Sequence, residues 1–337
     1  MEGPVILSLS KGHFILPLDM LGVNLSSCFD GLSMTGMVEF DFLRGPQRSG
    51  AMKNHWTFVN TPAKLEKAEK AIRAAPVIAL DTEYDSFRYF REKLCLLQVQ
   101  AGEHTWLIDP LAEGLDLSFL GDVLLDPEIL KIFHAGDNDI RILKRDYAFG
   151  FRNIFDTHRA ASLLGFRQLA LSTLLEIHLG VTLEKKMQRS RWDIRPLSEE
   201  QLDYAALDTA HLPGLYRKLD AELREKGLEK EAKPLFVGMT AVVWRPKALD
   251  RLGHRKLPGY AHMTAEQKER LRLLYRWRFE KAREINRACF MLLPDPQLAA
   301  LARLESPSLE SLTGRGLLSV EGSHCFGPEI LRILRIA

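Results

Sequence analysis

Cysteine is scarce in this chain of 337 residues: Cys28, Cys95, Cys289 and Cys325 lie far apart. They form no Cys-x-x-Cys pair, so neither a zinc site nor a disulfide framework is implied, which suits a reducing cytoplasm. No uncharged apolar run reaches the roughly 18 residues that a membrane-spanning helix needs. The first residues also lack the pattern of a secretory leader. Glu2 stands where a basic region is expected, and Lys11 and Asp19 interrupt the apolar stretch. Charge of one sign is not in excess either: 46 Lys and Arg against 44 Asp and Glu leave +2. Affinity for any polyanion must then come from local basic patches. Residues 1–51 show no clear periodicity and hold scattered Gly, Ser and Pro. They read as a non-catalytic extension: a misassigned upstream start, a flexible arm or a small packed addition. The chain as a whole is 46% hydrophobic, enough to bury one substantial core and a smaller second one.

Against that background, Asp81-Thr82-Glu83 stands out. It closes the apolar run Val77-Ile78-Ala79-Leu80, the mark of a strand buried on both faces. Residues i and i+2 of a strand point to one side, so the two carboxylates project together, roughly 7 Å apart at two strand rises. Buried acids are costly unless a cation neutralises them, and hard ions such as Mg²⁺ or Mn²⁺ suit oxygen ligands. An acid pair at a strand end can equally be a solvated exit from a sheet, so the other acids decide. Leu130 to His134 reads as a second strand and Ala135-Gly136 as a turn. Asp137 is then expected as an N-cap, opening a helix through Ile140, Leu143 and Tyr147. Asp139 falls in its first turn, near the positive end of the helix dipole. Further on, Ser198-Glu199-Glu200-Gln201 fits a capping box and predicts a helix to about Leu219. On it Tyr204 and Asp208, spaced i, i+4, share one face. Taken alone, Asp139 is a dipole-friendly surface acid and Tyr204/Asp208 a helix-surface pair.

As an ordered set, Asp81-x-Glu83, His134-Ala135-Gly136-x-Asn138-Asp139 and Tyr204-x-x-x-Asp208 resemble the motifs of the four-acid, tyrosine-type 3′ to 5′ exonucleases. More narrowly, they resemble bacterial ribonuclease D. Leu96-Leu97-Gln98, Leu107-Ile108-Asp109-Pro110, Phe155-Asp156-Thr157, Ser190-Arg191-Trp192-Asp193 and Arg195-Pro196-Leu197 extend the likeness, which covers residues 52–232. The resemblance implies an α/β fold: a ribonuclease H-like mixed sheet flanked by helices, with three strands in antiparallel order followed by helix-linked strands. Strands are expected near 77–82, 93–100, 104–109 and up to His134. Helices are expected after Thr61-Pro62 and near 117–124, 139–147, 156–164, 169–179 and 199–221.

The same resemblance implies roles. Asp81, Glu83 and Asp208 would hold the first of two divalent metal ions, Mg²⁺ or Mn²⁺, with Asp81 bridging to the second and Asp139 holding that one. Tyr204 would orient the attacking water. Such a site hydrolyses RNA 3′ ends to nucleoside 5′-monophosphates, and RNA with a free 3′ end, tRNA precursors above all, is the implied partner. A DNA-preferring exonuclease and an inactive RNA-binding module are the alternatives. Gln98, His134 and Asn138 are candidate substrate contacts. Lys185, Lys186, Arg189, Arg191 and Trp192 form a loop in which basic side chains and an aromatic can hold a strand by phosphate contact and base stacking.

A linker is expected at 233–258 and a second domain at 259–337. Thr264-Ala265-Glu266-Gln267 is another capping box, followed by Leu271, Leu274, Ala282 and Ile285 on one side of a helix. Lys268, Arg270, Arg272, Arg276, Arg278, Lys281, Arg283 and Arg287 make that helix basic. Together with Leu292-Leu293-Pro294-Asp295 it resembles the helicase-and-RNase-D C-terminal (HRDC) domain, a small all-α module. That likeness implies an auxiliary nucleic-acid-binding role. Ribonuclease D usually carries two such modules, and this chain has room for one.

Overall fold

The computed structural model describes residues 56–183 and 186–336. The expectations for residues 1–51 and for Lys185 lie outside the described residues. Two compact units are present: one holds the described residues up to Arg245 except Arg88–Arg91, and the other comprises Arg88–Arg91 and the residues from Pro246 on.

Among the described residues of the first unit, strands β1 (Trp56–Val59), β2 (Val77–Asp85), β3 (Lys93–Ala101), β4 (His104–Ile108), β5 (Leu130–Phe133) and β6 (Ile154–Asp156) form one sheet in the order β1-β4-β3-β2-β5-β6. The β2-β3-β4 meander is antiparallel, whereas β1 on β4, β5 on β2 and β6 on β5 are parallel. The mixed sheet is as expected, with two additional short strands at its edges. A register shift between Glu83 and Tyr84 marks a bulge opposite Cys95, so face alternation holds for Ala79 to Glu83 and for Leu96 to Gln100.

Helices cover both faces. On one, α1 (Pro62–Ala74), α2 (Phe119–Leu125) and α3 (Asp137–Tyr147) bury Ile72, Leu120, Ile140 and Leu143 against Ile78, Leu80, Leu97 and Val99. On the other lie α4 (Thr157–Leu163), α5 (Leu171–Leu179), α6 (Glu199–Ala210) and α7 (Leu212–Glu225). There Leu202 and Ala205 pack on Leu96 and Leu107, and Leu212 packs on Ala79 and Ile132. Each fully buried aliphatic side chain contributes about 1.5–3 kcal/mol.

Three local expectations change. The helix expected over 199–221 is two helices, because His211 leaves regular geometry and Pro213 opens the next one, where a missing N–H costs nothing. The N-cap of α3 is Gly136, which places Asp137 inside the first turn. Finally, α8 (Glu229–Met239) occupies residues read as the start of the linker, with Ala232 and Met239 buried despite Pro234.

The second unit is built from α9 (Ala265–Glu284), α10 (Cys289–Leu292), α11 (Asp295–Ala302), α12 (Leu309–Gly314) and α13 (Val320–Ile336) around Leu271, Leu274, Leu298, Leu301, Phe326 and Ile330. Both hydrogen bonds of the Thr264/Gln267 capping box form. The basic residues of α9 are largely paired with acids: Arg270 with Glu266, Arg272 with Glu269, Arg276 with Glu280, Arg278 with Asp295, and Lys281 with Glu284 and Glu329. Arg278 is itself buried, donating to the Leu293 carbonyl at 2.6 Å. No described helix is long and apolar enough to cross a membrane.

Candidate active site

Asp81 and Glu83 project from one face of β2, and α6 crosses that face. Its register is set at its start: Ser198 Oγ accepts from Gln201 N at 3.2 Å while Gln201 Oε1 accepts from Ser198 N at 3.0 Å, a cap worth about 1 kcal/mol. The preceding loop is tied down by Arg195. Its guanidinium donates to both Asp109 oxygens at 2.6 and 2.7 Å, to the Cys95 carbonyl at 2.6 Å and to the Trp192 carbonyl at 2.7 Å. Neither Arg195 nor Asp109 was singled out from the sequence as a holder of the site, since residues 86 apart give no local signal of pairing.

So held, α6 brings Asp208 to Asp81 and Glu83, and one oxygen from each lies within 4.8 Å of the others. Three carboxylates this close repel. Burial pushes the Asp208 carboxyl up to about 7, against a hydrogen bond from the Tyr204 phenol that favours its charged form. Burial and then the negative charges of Asp208, Glu83 and Asp81 push the Tyr204 phenol upward, so it keeps its proton and donates. Three converging hard oxygen donors, one of them reluctant to ionise without a cation, fit a divalent hard metal ion.

Asp139 is not a member of that trio. It is buried, and its carboxylate accepts from the Thr82 hydroxyl. Thr82 alternates with Asp81 and Glu83, so it faces the side where Leu80 meets α3. Asp139 therefore meets the acid-bearing strand at the residue between the two acids. The turn delivering it is tightly specified. Ala135 has a φ of 55°, and a Cβ on Gly136 would lie 2.6 Å from Phe133 Cβ, so only glycine fits. Gly136 N donates to Asp156 Oδ2 at 2.9 Å, and Asp156 Oδ1 caps α4 through Arg159 N at 2.8 Å. Burial raises the Asp156 carboxyl. Thr82, whose place within the motif carries the signal, and Asp156 are functional residues that the sequence expectations do not include.

A cavity of about 310 Å³ opens beside Asp81, Tyr204 and Asp208. His134 lines it, with Leu171, Ser172, Leu183, Gln188 and Leu212. Burial, and then the neighbouring His158, lower His134 to about 4, so its ring is neutral; Nδ1 lies 2.9 Å from Thr157 Oγ1. The other expected substrate contacts are elsewhere. Gln98 is completely buried under α6 and has no surface for a nucleotide. Trp192 is 2% exposed and packs among Leu96, Leu107, Leu197 and Leu202. It is a core residue and not the stacking platform expected, because burial of its large apolar ring outweighs the polarity of its loop. Arg191 is exposed but held by Asp193 at 2.8 Å, and Asn138 accepts from Arg141 at 2.5 Å within α3. Lys186 and Arg189 are exposed.

The chain matches the 3′-5′ exonuclease family over residues 56–224 and the HRDC domain family over 267–334. It is 34% identical to ribonuclease D of Zymomonas mobilis over 287 residues, covering 83% of this chain and 72% of that protein. It is 32% identical to the exosome complex component 10 homolog of Drosophila melanogaster over 254 residues, covering 72% of this chain. The match spans only 28% of that longer relative. Among solved structures, Escherichia coli RNase D, an exoribonuclease involved in structured RNA processing, superposes with a TM-score of 0.62 at 31% identity, covering 83% of this chain and 74% of that one. With the exonuclease family spanning its sheet-bearing unit, the HRDC family its helical unit, and a bacterial ribonuclease D aligned along most of its length, this chain belongs to the ribonuclease D family.

Proposed function

We propose that this protein is a metal-dependent 3′ to 5′ exoribonuclease that removes nucleoside 5′-monophosphates one at a time from RNA with a free 3′ end. One observation carries the reading: Asp81, Glu83 and Asp208 converge within 4.8 Å, with Tyr204 bonded to Asp208, at the wall of the 310 Å³ cavity. Asp81, Glu83 and Asp208 would hold one Mg²⁺ or Mn²⁺, and Asp139 would help to hold a second. When bound, such ions supply Lewis acidity, which makes water nucleophilic near neutral pH and shields charge on the scissile phosphate. The chain's own residues do the rest. Tyr204, kept protonated, has a hydrogen-bond donor to fix beside Asp208 and can align an attacking water. The cavity, at the small end of ligand sites, suits one terminal nucleotide, with Leu171, Leu183 and Leu212 against its apolar parts and Ser172 and Gln188 against its polar ones. His134, neutral, can accept or donate there without adding charge.

The second unit offers a further hold on the strand. A cavity of about 540 Å³ within it is lined by Arg251, His254, Arg272, Tyr275 and Arg276, together with Glu280. Guanidinium groups there can meet backbone phosphates, giving the auxiliary nucleic-acid-binding role implied by the HRDC likeness. Trimming of tRNA precursors and other small structured RNAs in the cytoplasm is the role this reading favours.

The test uses 3′-labelled and 5′-labelled RNA and DNA oligomers, with Mg²⁺ or Mn²⁺ and with chelator, resolved by length. Stepwise shortening of RNA from its 3′ end, stopped by chelator and absent in Asp81→Asn and Asp208→Asn, is the expected result. Internal cleavage, or digestion by those variants near the wild-type rate, would overturn the reading. Faster digestion of DNA would replace the substrate class and leave the chemistry.

A further inference from the structure

Gln98 is fully buried, and neither its Oε1 nor its Nε2 has a hydrogen-bond partner. A buried carboxamide left unpaired gives up its bonds to water for nothing, so a core position that carries Gln in place of Leu or Met calls for a reason. Its neighbours supply one. In the sheet Gln98 is the direct partner of Asp81 on β2 and of Leu107 on β4. Directly opposed residues of antiparallel strands send their side chains to the same face, with Cβ atoms about 4.5–5.5 Å apart. On the same face Leu96, Ala205 and Ala206 offer no donor or acceptor, while Trp192 and Tyr204 bring an indole N–H and a phenol, neither of them an anion. Asp81 is thus the polar neighbour in register. An ionised carboxylate only accepts, so the amide nitrogen is the atom suited to face it.

We propose that Gln98 is a positioning residue: its Nε2 donates to the Asp81 carboxylate and fixes which oxygen faces a divalent cation held with Glu83 and Asp208. This rests on the exonuclease reading. The cross-strand Cβ spacing of about 4.5–5.5 Å lies within the reach of a glutamine side chain. Ligating carboxylates are commonly oriented by such partners, and loss of one weakens metal binding about 10- to 100-fold.

The experiment titrates Mn²⁺ by calorimetry, without substrate, into the wild-type protein, Gln98→Leu and Gln98→Met. Urea unfolding of each metal-free protein runs beside it. Both variants should bind Mn²⁺ about tenfold more weakly or worse. Their metal-free unfolding midpoints should be unchanged or higher, because apolar groups replace an unpaired amide. Wild-type Mn²⁺ affinity in either folded variant overturns the proposal and leaves the exonuclease reading standing. A lowered midpoint with unchanged Mn²⁺ affinity makes Gln98 purely structural and overturns it equally. If Gln98→Leu does not fold, Gln98→Met, which keeps the unbranched shape of glutamine, decides the matter. Failure of the wild-type protein to take up Mn²⁺ would remove both readings together.

Discussion

Raising the pH of the metal-free protein from about 5 to about 7.5 should lower its stability through Asp208. Its carboxyl, ordinarily near 3.8, is pushed up to about 7 by burial. Between those values the folded state keeps a proton that the unfolded chain has released. The stability from this group is therefore fully present below about pH 4 and is lost as the pH rises through about 7. At about 1.4 kcal/mol per pKa unit, a shift of roughly three units sets a ceiling of about 4 kcal/mol. Asp81 and Glu83 share the site and titrate together with Asp208, so about 2 kcal/mol is the effect to look for.

Urea unfolding in chelator across that window, for wild type and Asp208→Asn, isolates the contribution, since every other titrating group is common to both proteins. The wild type should lose about 2 kcal/mol relative to the variant between about pH 5 and 7.5. Added Mn²⁺ should then stabilise the wild type more as the pH rises, because cation and proton compete for the same oxygens. Parallel pH profiles for the two proteins in chelator would refute the reasoning. They would mean that burial in the folded state does not hold the proton on Asp208.

Three other outcomes follow from the same structure. Tyr204→Phe should slow single-turnover digestion of 5′-labelled RNA about 10- to 100-fold, the worth of one hydrogen bond near the reacting water, while Asp208→Asn leaves no measurable rate. Trp192→Ala should cost about 3–5 kcal/mol of unfolding free energy, as large core truncations do, with the KM for RNA of the folded fraction unchanged. Arg251→Glu, at an exposed position, should weaken RNA binding measured in chelator and flatten its dependence on the logarithm of salt concentration by about 1–2, with dinucleotide turnover as in wild type.

The elements legible in the sequence were those whose cause is local. The Ser198/Gln201 and Thr264/Gln267 boxes announce α6 and α9 because both partners of each bond lie three residues apart. The i, i+4 spacing of Tyr204 and Asp208 fixes their common face in the same way. The edge strands were not legible: β1 has four residues and β6 three, too short for a period to show, and each exists because a parallel neighbour is there to receive it. Trp192 misled for a related reason. Its loop is polar in composition, yet Arg195 folds that loop back onto β3 and Asp109, which turns the indole inward.

The placement of Asp139 follows from a pattern within β2 itself. Acid, hydroxyl, acid at three successive strand positions put polar chemistry on both faces of β2. Thr82, between them, is buried on the α3 side, where a hydroxyl needs a partner. Asp139, in the first turn of α3, supplies it. The strand thus meets Asp208 of α6 at its two acids and Asp139 of α3 at the threonine between them. A rotation of either helix by one residue would move its acid away from β2. The tight turn at Gly136, the Asp156 bonds that hold it, and the capping box of α6 all act against such a slip, and so serve the geometry of the acids as much as the stability of the sheet.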